Sequence, residues 1–275
     1  MKAISYFFRS ATALTFVATA ALTPVRAESV PPGAESAAPA VTACNAPADL
    51  VRLVNPLRRV AQRIAGGQPI KIVAIGSSST AGAGASSPAM NYPSRLEAEL
   101  KALFPRADIT VVNRGVNGEE SRDMVARFDR DVFAQVPDLV LWQVGSNSVL
   151  RDRSLDEANA SLRDGLKRLR EAGADVVLIN PQYAPKVITK HDVDGMVDLI
   201  HLTAKETNVD LFERFAVMRY WRLTEDIPFS TFISPDELHM NDWSYGCIAK
   251  LLAQAIQEAA TRTTVTATAT AHGRQ

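Results

Sequence analysis

The chain has 275 residues, of which 47% are hydrophobic and 22% charged, so it carries enough apolar side chain for an ordinary globular core. Its 30 basic and 30 acidic residues balance and no basic cluster stands out, which leaves no electrostatic ground for nucleic-acid binding. With only 2 cysteines, a scaffold built on disulfides is excluded.

Residues 1–27 have the pattern of an export signal. The basic residues Lys2 and Arg9 precede an apolar run, Ala11–Leu22, and Val25–Ala27 places small residues where a signal peptidase cuts. We therefore expect cleavage after Ala27 and a periplasmic or secreted product. The alternative is an uncleaved anchor, but the run is shorter than the about 20 residues that a spanning helix needs, so we expect no stable membrane insertion after cleavage.

Both ends of the mature chain are predicted to be flexible. Residues 28–47 are rich in Ala, Pro, Ser and Glu, and residues 261–275 form a Thr/Ala-rich tail. Between them, residues 48–260 contain no Pro/Gly-rich linker and no internal repeat. This stretch is expected to form one domain.

Five apolar runs in the domain alternate with stretches of helical periodicity and predict parallel strands. They are Ile70–Ile75, Ile109–Val112, Leu139–Val144, Val176–Ile179 and Val209–Phe212. Because the runs are apolar throughout, helices should cover both faces of the sheet. The predicted fold class is α/β: a flavodoxin-like, three-layer α/β/α sandwich with a five-stranded parallel sheet, whose site lies beyond the carboxyl ends of the strands.

Two of the intervening helices have clear signals. Ser154 with Glu157 three residues later is a capping-box pattern at a helix start. Leucines three or four residues apart mark one buried face on each helix, at Leu96, Leu100 and Leu103 and at Leu162, Leu166 and Leu169.

Export changes the meaning of the two cysteines. In an oxidising compartment Cys44 can pair with Cys247 and join the two ends of the domain, while two unpaired thiols remain the alternative. A metal site is disfavoured because the cysteines are far apart in sequence. His191, with Asp192 and Asp194 nearby, also lacks a second histidine at ligand spacing.

The first predicted strand ends in a turn of small residues, Gly76–Gly84. It fits a nucleotide loop, a plain turn or a nucleophile loop. A Walker-type phosphate loop needs a lysine that is absent here, and Gly82-Ala83-Gly84 lacks the third glycine of a dinucleotide fingerprint. We predict no cofactor, and a serine nucleophile stays open if a base is available.

Among the four histidines, only His239 has the setting of a catalytic base. It follows Asp236 by three residues in a loop before the last helix, so one loop can present an imidazole and the carboxylate that orients it. His191 and His201 fall on or beside a polar helical stretch and His272 in the tail, where we expect surface residues.

Donors for an oxyanion are available after the second and third strands. Asn113–Gly118 and Gly145–Asn147 contain glycines, whose backbone N–H can approach a substrate closely, and asparagines, whose amides are neutral donors. Taken separately, each segment is equally typical of an ordinary turn between a strand and a helix.

In this order along the chain, the four features resemble the blocks of the SGNH/GDSL hydrolase family of serine esterases and lipases. The resemblance implies that Ser78 is the nucleophile and that its backbone N–H is one oxyanion donor. It implies Gly118 and Asn147 as the other donors and Asp236 with His239 as the rest of the triad.

The resemblance covers Ile70–Ile256 and has two departures. Ser77 stands where the family usually has the Asp of Gly-Asp-Ser, and Ser148 stands where a second aspartate follows the asparagine. Neither position belongs to the implied triad. Gly115 remains a rival for the oxyanion glycine, and Ser77 and Ser79 are rival nucleophiles.

The family's substrates include acetylated sugars, lysophospholipids, aryl esters and thioesters. An exported enzyme meets envelope carbohydrate and lipid, so we expect a small-molecule or glycan ester as partner and rank removal of small acyl groups from carbohydrate first. A lysophospholipase, an acyltransferase to glycan and a non-catalytic glycan-binding module are the alternatives. Aromatic residues that can line a pocket but are more typical of a core are Tyr92, Trp142, Tyr183, Trp221 and Trp243.

Overall fold

The computed structural model describes the backbone of residues 43–272 and the side chains of residues 43–262. These residues belong to one compact unit, Ala43–Gln275. The predicted signal peptide, residues 1–27, and most of the predicted flexible segment 28–47 lie outside the described residues. Within the described range, no helix combines the length and the apolar character needed to cross a bilayer.

The core of the fold is a five-stranded sheet in which all neighbouring strands are parallel. Its strands are β1 (Ile70–Gly76), β2 (Ile109–Gly115), β3 (Leu139–Gln143), β4 (Asp175–Ile179) and β5 (Asp210–Phe212). Their order across the sheet is β2-β1-β3-β4-β5, the flavodoxin-like order. The predicted fold class is confirmed.

Helices fill the connections between the strands. They are α1 (Ala48–Val51), α2 (Arg58–Ala65), α3 (Ser78–Ala81), α4 (Tyr92–Leu103), α5 (Ser121–Ala126), α6 (Phe128–Asp131), α7 (Ser146–Leu150), α8 (Leu155–Glu171), α9 (Pro185–Ile188), α10 (Val193–Thr207), α11 (Arg214–Leu223), α12 (Phe229–Phe232) and α13 (Asp242–His272). Short 3₁₀ turns occupy Pro88–Met90 and Phe133–Gln135.

Two helical layers cover the sheet. Helices α2, α4 and α13 pack together in one layer, and α5, α8 and α10 pack together in the other. The centre of the sheet is buried between them: every residue of β3 is buried, and Trp142 packs edge-on against Phe128. The predicted leucine stripes face this core, with Leu103 only half-buried. The predicted cap is also present, since the Ser154 hydroxyl accepts the N–H of Glu157.

Strand β2 is longer than the sequence predicted. Asn113 to Gly115 were expected to follow the strand, but they are its last three residues and pair with Ala74, Ile75 and Gly76 of β1. The physical reason is that the buried carboxyl end of β1 needs hydrogen-bond partners on this side, and β2 supplies them.

The ends of the domain are joined by a disulfide between Cys44 and Cys247, which lies in α13. A hydrogen bond from the Trp221 indole to the carbonyl of Asn45 fixes the same segment. Helix α13 continues to His272, well into the Thr/Ala tract for which no helix was predicted. No glycine or proline interrupts the sequence between Gly246 and Gly273, so nothing local ends the helix.

Candidate active site

Ser78, Gly118 and Asn147 follow the carboxyl ends of neighbouring strands, whereas Asp236 and His239 lie in the loop between α12 and α13. From β1 the chain goes to β2 on one side, and the later strands lie on the other side, so the strand order reverses between β1 and β3, the place where sheets of this kind bind ligands. Ser78 begins α3 directly after β1, and Asn147 lies in α7 directly after β3.

Ser78, His239 and Asp236 form a continuous hydrogen-bonded relay. The Ser78 Oγ lies 2.8 Å from His239 Nε2, and His239 Nδ1 lies 2.5 Å from Asp236 Oδ2. Because a carboxylate only accepts, Nδ1 carries the proton and Nε2 is left to accept from the serine hydroxyl. The side chain of His239 is 17% exposed, so the base is largely shielded but reachable from one side.

Asp236 is held by its own loop as well as by the imidazole. Its Oδ1 accepts the backbone N–H groups of Leu238, at 3.0 Å, and His239, at 2.9 Å. Partial burial opposes ionisation, but the bonds from the His239 ring and these two N–H groups outweigh it and lower the pKa of Asp236. Glu237, between them, has a left-handed backbone with φ of 61°.

The loop that carries His239 packs on the segment that follows Ser78. At Gly84, with φ of 86°, a Cβ atom would lie 2.4 Å from the carbonyl oxygen of Met240 and 3.0 Å from the His239 Cβ. The Tyr245 hydroxyl, from α13, donates to the carbonyl of Ala83 at 2.7 Å. The distance between serine and histidine is therefore set by backbone packing as well as by their own hydrogen bond.

The segment after β2 lies beside the turn that carries Ser78. The N–H of Val116 donates to the carbonyl of Gly76 at 3.0 Å, and Gly118 has φ of 80°, a backbone that glycine adopts without strain. Asn147 Nδ2 donates one hydrogen to the carbonyl of Glu119 at 2.8 Å. That bond fixes the amide of Asn147 next to Gly118 and leaves its second N–H for another acceptor.

A buried arginine braces this side of the site. Arg127, 8% exposed, forms ion pairs with Glu119 at 2.6 Å and Asp131 at 2.8 Å. Its guanidinium also donates to the carbonyl oxygens of Gly76 and Arg114, at the ends of β1 and β2. The loop with Gly118 is thus tied to the sheet edge and does not depend on its own short turn alone.

The sequence matches the model of a known protein family. A model of the Non-GDSL lipase-like family matches residues 43–262, most of the chain. The chain belongs to this family. The SGNH/GDSL resemblance predicted from the sequence is thereby confirmed, and Ser77 in place of the usual aspartate of Gly-Asp-Ser is in keeping with the family's name.

Two curated relatives are esterases. An acetylxylan esterase from Geobacillus stearothermophilus is 35% identical over 94 residues, which cover 30% of this chain and 43% of the relative. An arylesterase from Vibrio mimicus is 24% identical over 192 residues, covering 68% of this chain and 88% of the relative. The chain therefore spans less than half of the first relative and most of the second.

Solved structures share the fold. A two-domain esterase active on acetylated mannans superposes with a TM-score of 0.64 at 22% identity, over 77% of this chain and 56% of that one. An acetylxylan esterase from Geobacillus stearothermophilus superposes with a TM-score of 0.55 at 25% identity, over 70% of this chain and 94% of that one.

The structure gives the three consecutive serines different partners. The hydroxyls of the two rivals donate to buried amides: Ser77 to Gln143 Oε1 at 2.9 Å and Ser79 to Gln182 Oε1 at 3.3 Å. Only Ser78 contacts the imidazole of His239. Ser77, 2% exposed, also anchors its own N–H on Gln143, so the hydroxyl occupies a buried polar position where the related motif has a carboxylate.

The other candidates from the sequence lie elsewhere. His191 is 97% exposed and pairs with Asp192, and His201 pairs with Glu213, both outside the relay. Gly115, the rival oxyanion glycine, is a strand residue packed under α3. Ser148 is buried in α7. The described residues contain no cluster of three or more His, Cys, Asp or Glu suited to a metal.

Sequence reasoning missed the polar residues beneath the site. Gln143 ends β3, Gln182 lies three residues after β4, and Arg214 begins α11; all three are buried. The two glutamines hydrogen-bond to neighbours of the predicted catalytic residues, and Arg214 hydrogen-bonds to Gln182. No local motif marks them. The available signal was the polarity of their side chains, because Gln143 is the last residue of one apolar strand and Gln182 comes three residues after another.

Proposed function

We propose that this protein is a serine ester hydrolase that removes small acyl groups, acetyl above all, from carbohydrate. The observation that carries the proposal is the relay in which Ser78 Oγ, His239 and Asp236 are joined by hydrogen bonds of 2.8 and 2.5 Å. Its position at the strand ends, beside Gly118 and Asn147, supports an acyl-transfer site.

The relay accounts for the chemistry step by step. His239 Nε2 takes the proton of Ser78 as Oγ bonds to the ester carbonyl carbon, and Asp236 stabilises the imidazolium that forms. The N–H groups of Ser78 and Gly118 and the amide of Asn147 donate to the carbonyl oxygen as it becomes negative. The alcohol leaves with the proton from Nε2.

Water completes the cycle. His239 Nε2 removes a proton from a water molecule that attacks the acyl carbon, and the second tetrahedral intermediate collapses to the free carboxylic acid. The proton returns from the imidazolium to the Ser78 Oγ, so the serine is regenerated and one ester bond has been hydrolysed.

The acetyl-carbohydrate substrate rests on the relatives. The protein from Geobacillus stearothermophilus that is 35% identical over 94 residues is an acetylxylan esterase, and the same source supplies a structural neighbour at 25% identity. The aligned part covers 43% of that relative, so acetylated carbohydrate has to be tried directly as a substrate.

Export is part of the same proposal. The pattern of residues 1–27 supports a cleaved signal, and the disulfide between Cys44 and Cys247 is the kind of bond that persists in oxidising compartments. In the periplasm or outside the cell the enzyme meets acetylated polysaccharide and little acyl-CoA.

The test is ester hydrolysis by the mature chain beginning at Glu28, beside its Ser78→Ala variant. We expect release of acetate from acetylated xylo-oligosaccharides and hydrolysis of p-nitrophenyl acetate and propionate, both lost in the variant. A fluorophosphonate should label Ser78 in the wild-type protein and leave the variant unlabelled.

Three other outcomes would change the proposed substrate, nucleophile or reaction. An optimum with long-chain p-nitrophenyl esters would replace the carbohydrate substrate by a lipid. Equal activity of the two proteins on every ester would remove Ser78 from the mechanism. Acyl groups found on a carbohydrate acceptor in place of free acid would make the enzyme a transferase.

A further inference from the structure

A single buried side chain hydrogen-bonds to the neighbours of the nucleophile, the oxyanion asparagine and the base. Gln182 follows β4 and is 1% exposed. Its Oε1 accepts from the hydroxyls of Ser79, at 3.3 Å, and Ser146, at 2.8 Å, and its Nε2 donates to the carbonyl of Leu238 at 3.2 Å. These residues directly adjoin Ser78, Asn147 and His239 in the sequence.

We propose that Gln182 is the positioning residue of the site, holding the three segments that carry the nucleophile, the oxyanion amide and the base at their working separation. The proposal rests on the proposed serine mechanism and names a residue that acts through others. Gln182 has no contact with the reacting atoms itself.

The hydrogen bonds form a continuous series in which each group donates to the next. The N–H of Ser77 donates to Gln143 Oε1, Gln143 Nε2 donates to the Ser146 hydroxyl at 3.4 Å, and that hydroxyl donates to Gln182. Gln182 then donates to Leu238. This series of hydrogen bonds runs from the turn after β1, past the ends of β3 and β4, to the loop that carries His239. A displacement of one of these segments therefore shifts the others.

A buried arginine determines which way the Gln182 amide faces. Arg214, 0% exposed, donates from Nη2 to Gln182 Oε1 at 3.1 Å and from Nε to the carbonyl of Asn180 at 3.0 Å. A guanidinium can only donate, and the carbonyl of Leu238 can only accept. The amide of Gln182 therefore has one satisfactory orientation, with oxygen toward Arg214 and nitrogen toward the loop of the base.

Arg214 forms no ion pair with a carboxylate of the described residues; the titratable groups there that act on its pKa are the hydroxyls of Tyr92 and Tyr245, which burial keeps uncharged at neutral pH. Burial lowers the pKa of its guanidinium to about 10, which leaves it protonated at neutral pH, and burial raises the pKa of Tyr92 to about 12. An uncompensated buried charge costs stability. The need to orient the Gln182 amide explains why the positively charged Arg214 is buried here despite this cost.

The test compares Gln182→Met with Gln182→Glu. Methionine has similar length but removes all four hydrogen bonds of the amide, whereas glutamate keeps acceptor oxygens for Ser79, Ser146 and Arg214. We expect kcat for p-nitrophenyl acetate to fall by about 10²-fold in Gln182→Met with KM within about twofold, because small misplacements of catalytic groups affect the transition state most. Gln182→Glu should recover about tenfold of that loss.

The control is Thr203→Val, in the helical layer formed by α5, α8 and α10. It removes a buried hydroxyl of α10 that donates a hydrogen bond to Asn159 of α8. It should lower the Tm and leave kcat and KM unchanged. The positioning role is overturned if Gln182→Met is folded and keeps kcat within about threefold of wild type. It is also overturned if KM rises in parallel with the loss of kcat. If Gln182→Met does not fold, failure of Gln182→Glu to differ from wild type overturns it.

The proposed function is checked separately in the same series. If the wild-type protein hydrolyses no ester, the function proposed above is wrong. The labelling rate of Ser78 by a fluorophosphonate then measures positioning without substrate recognition, and it should fall in Gln182→Met to the same extent. Equal labelling of wild type and Gln182→Met, or no labelling of the wild type, contradicts the inference.

Discussion

Three neighbouring serines with the same chemistry have different hydrogen-bond partners in this protein. Ser77 and Ser79 donate to the amides of Gln143 and Gln182, and only Ser78 meets His239. At the start of a helix, successive side chains point about 100° apart, so consecutive residues face different partners. The direction of the side chain, more than the residue type, decides which hydroxyl can react.

The predicted role of the Asn147 amide as an oxyanion donor can be tested with a single substitution. Its bond to the carbonyl of Glu119 holds the amide beside Gly118, where its second N–H can donate to the oxyanion. We expect Asn147→Ala to lower kcat by about 10² to 10³, the usual cost of losing one oxyanion donor, with little change in Tm. Steady-state kinetics on p-nitrophenyl acetate measures the change. A decrease of less than about threefold would remove Asn147 from the site.

At the scale of elements, the site depends on how closely α3 lies on the sheet. Gly115 is the last residue of β2, and a Cβ atom there would lie 2.1 Å from the backbone nitrogen of Ala81 and 2.6 Å from its Cα. The helix that begins with Ser78 rests on this glycine. Gly118, three residues later, has open space apart from the flexible end of Arg151, 3.4 Å from a Cβ position. The two glycines therefore serve different purposes, one in packing and one in the loop.

The substitution Gly115→Ala tests the role of Gly115 in the packing of α3 on the sheet. We expect it to lower the free energy of unfolding by about 2 kcal/mol or more, because backbone must move to make room, and to lower kcat because Ser78 moves with α3. Chemical denaturation and ester hydrolysis measure the two effects. Gly173→Ala is the control: its φ of 74° makes alanine strained, but nothing lies within 4 Å, so stability should decrease without a change in kcat. Wild-type kcat in Gly115→Ala would contradict the role of close packing.

At the scale of the whole molecule, the disulfide joins the start of the described chain to α13. Cys44 and Cys247 are separated by 203 residues, so the bond encloses nearly all of the domain. Closing so long a loop restricts the unfolded chain most, which is where a disulfide has its largest effect in the chain-entropy model. Neither cysteine contacts the relay, so stability and activity should respond separately to its loss.

Reduction of the disulfide provides the test. With dithiothreitol, or in Cys44→Ala, we expect the free energy of unfolding to fall by up to about 5 kcal/mol while kcat at moderate temperature is retained. Guanidinium unfolding with and without the reductant measures the difference. Dithiothreitol should have no further effect on Cys44→Ala. Equal unfolding midpoints for the oxidised and reduced wild-type protein would show that the bond contributes nothing to stability.

The sequence by itself determined the α/β/α class, the five strands and the pairing of Asp236 with His239 in one loop. Continuous apolar runs reveal buried strands, and a loop as short as Asp236–His239 brings its own two members together. Local patterns are enough for such features, because the cause of each lies within a few residues of the chain. They were not enough for the end of β2, whose last three residues are strand only because β1 lies alongside.

Tertiary structure alone decided which serine meets the base and what supports it. Gln143, Gln182 and Arg214 come from three different places in the chain, and their partners lie as far away as Ser77 and Leu238. Hydrogen bonds between such distant residues leave no periodicity and no motif, since each residue is ordinary in its own local sequence. They become visible only when the parallel sheet brings the carboxyl ends of its strands to one edge.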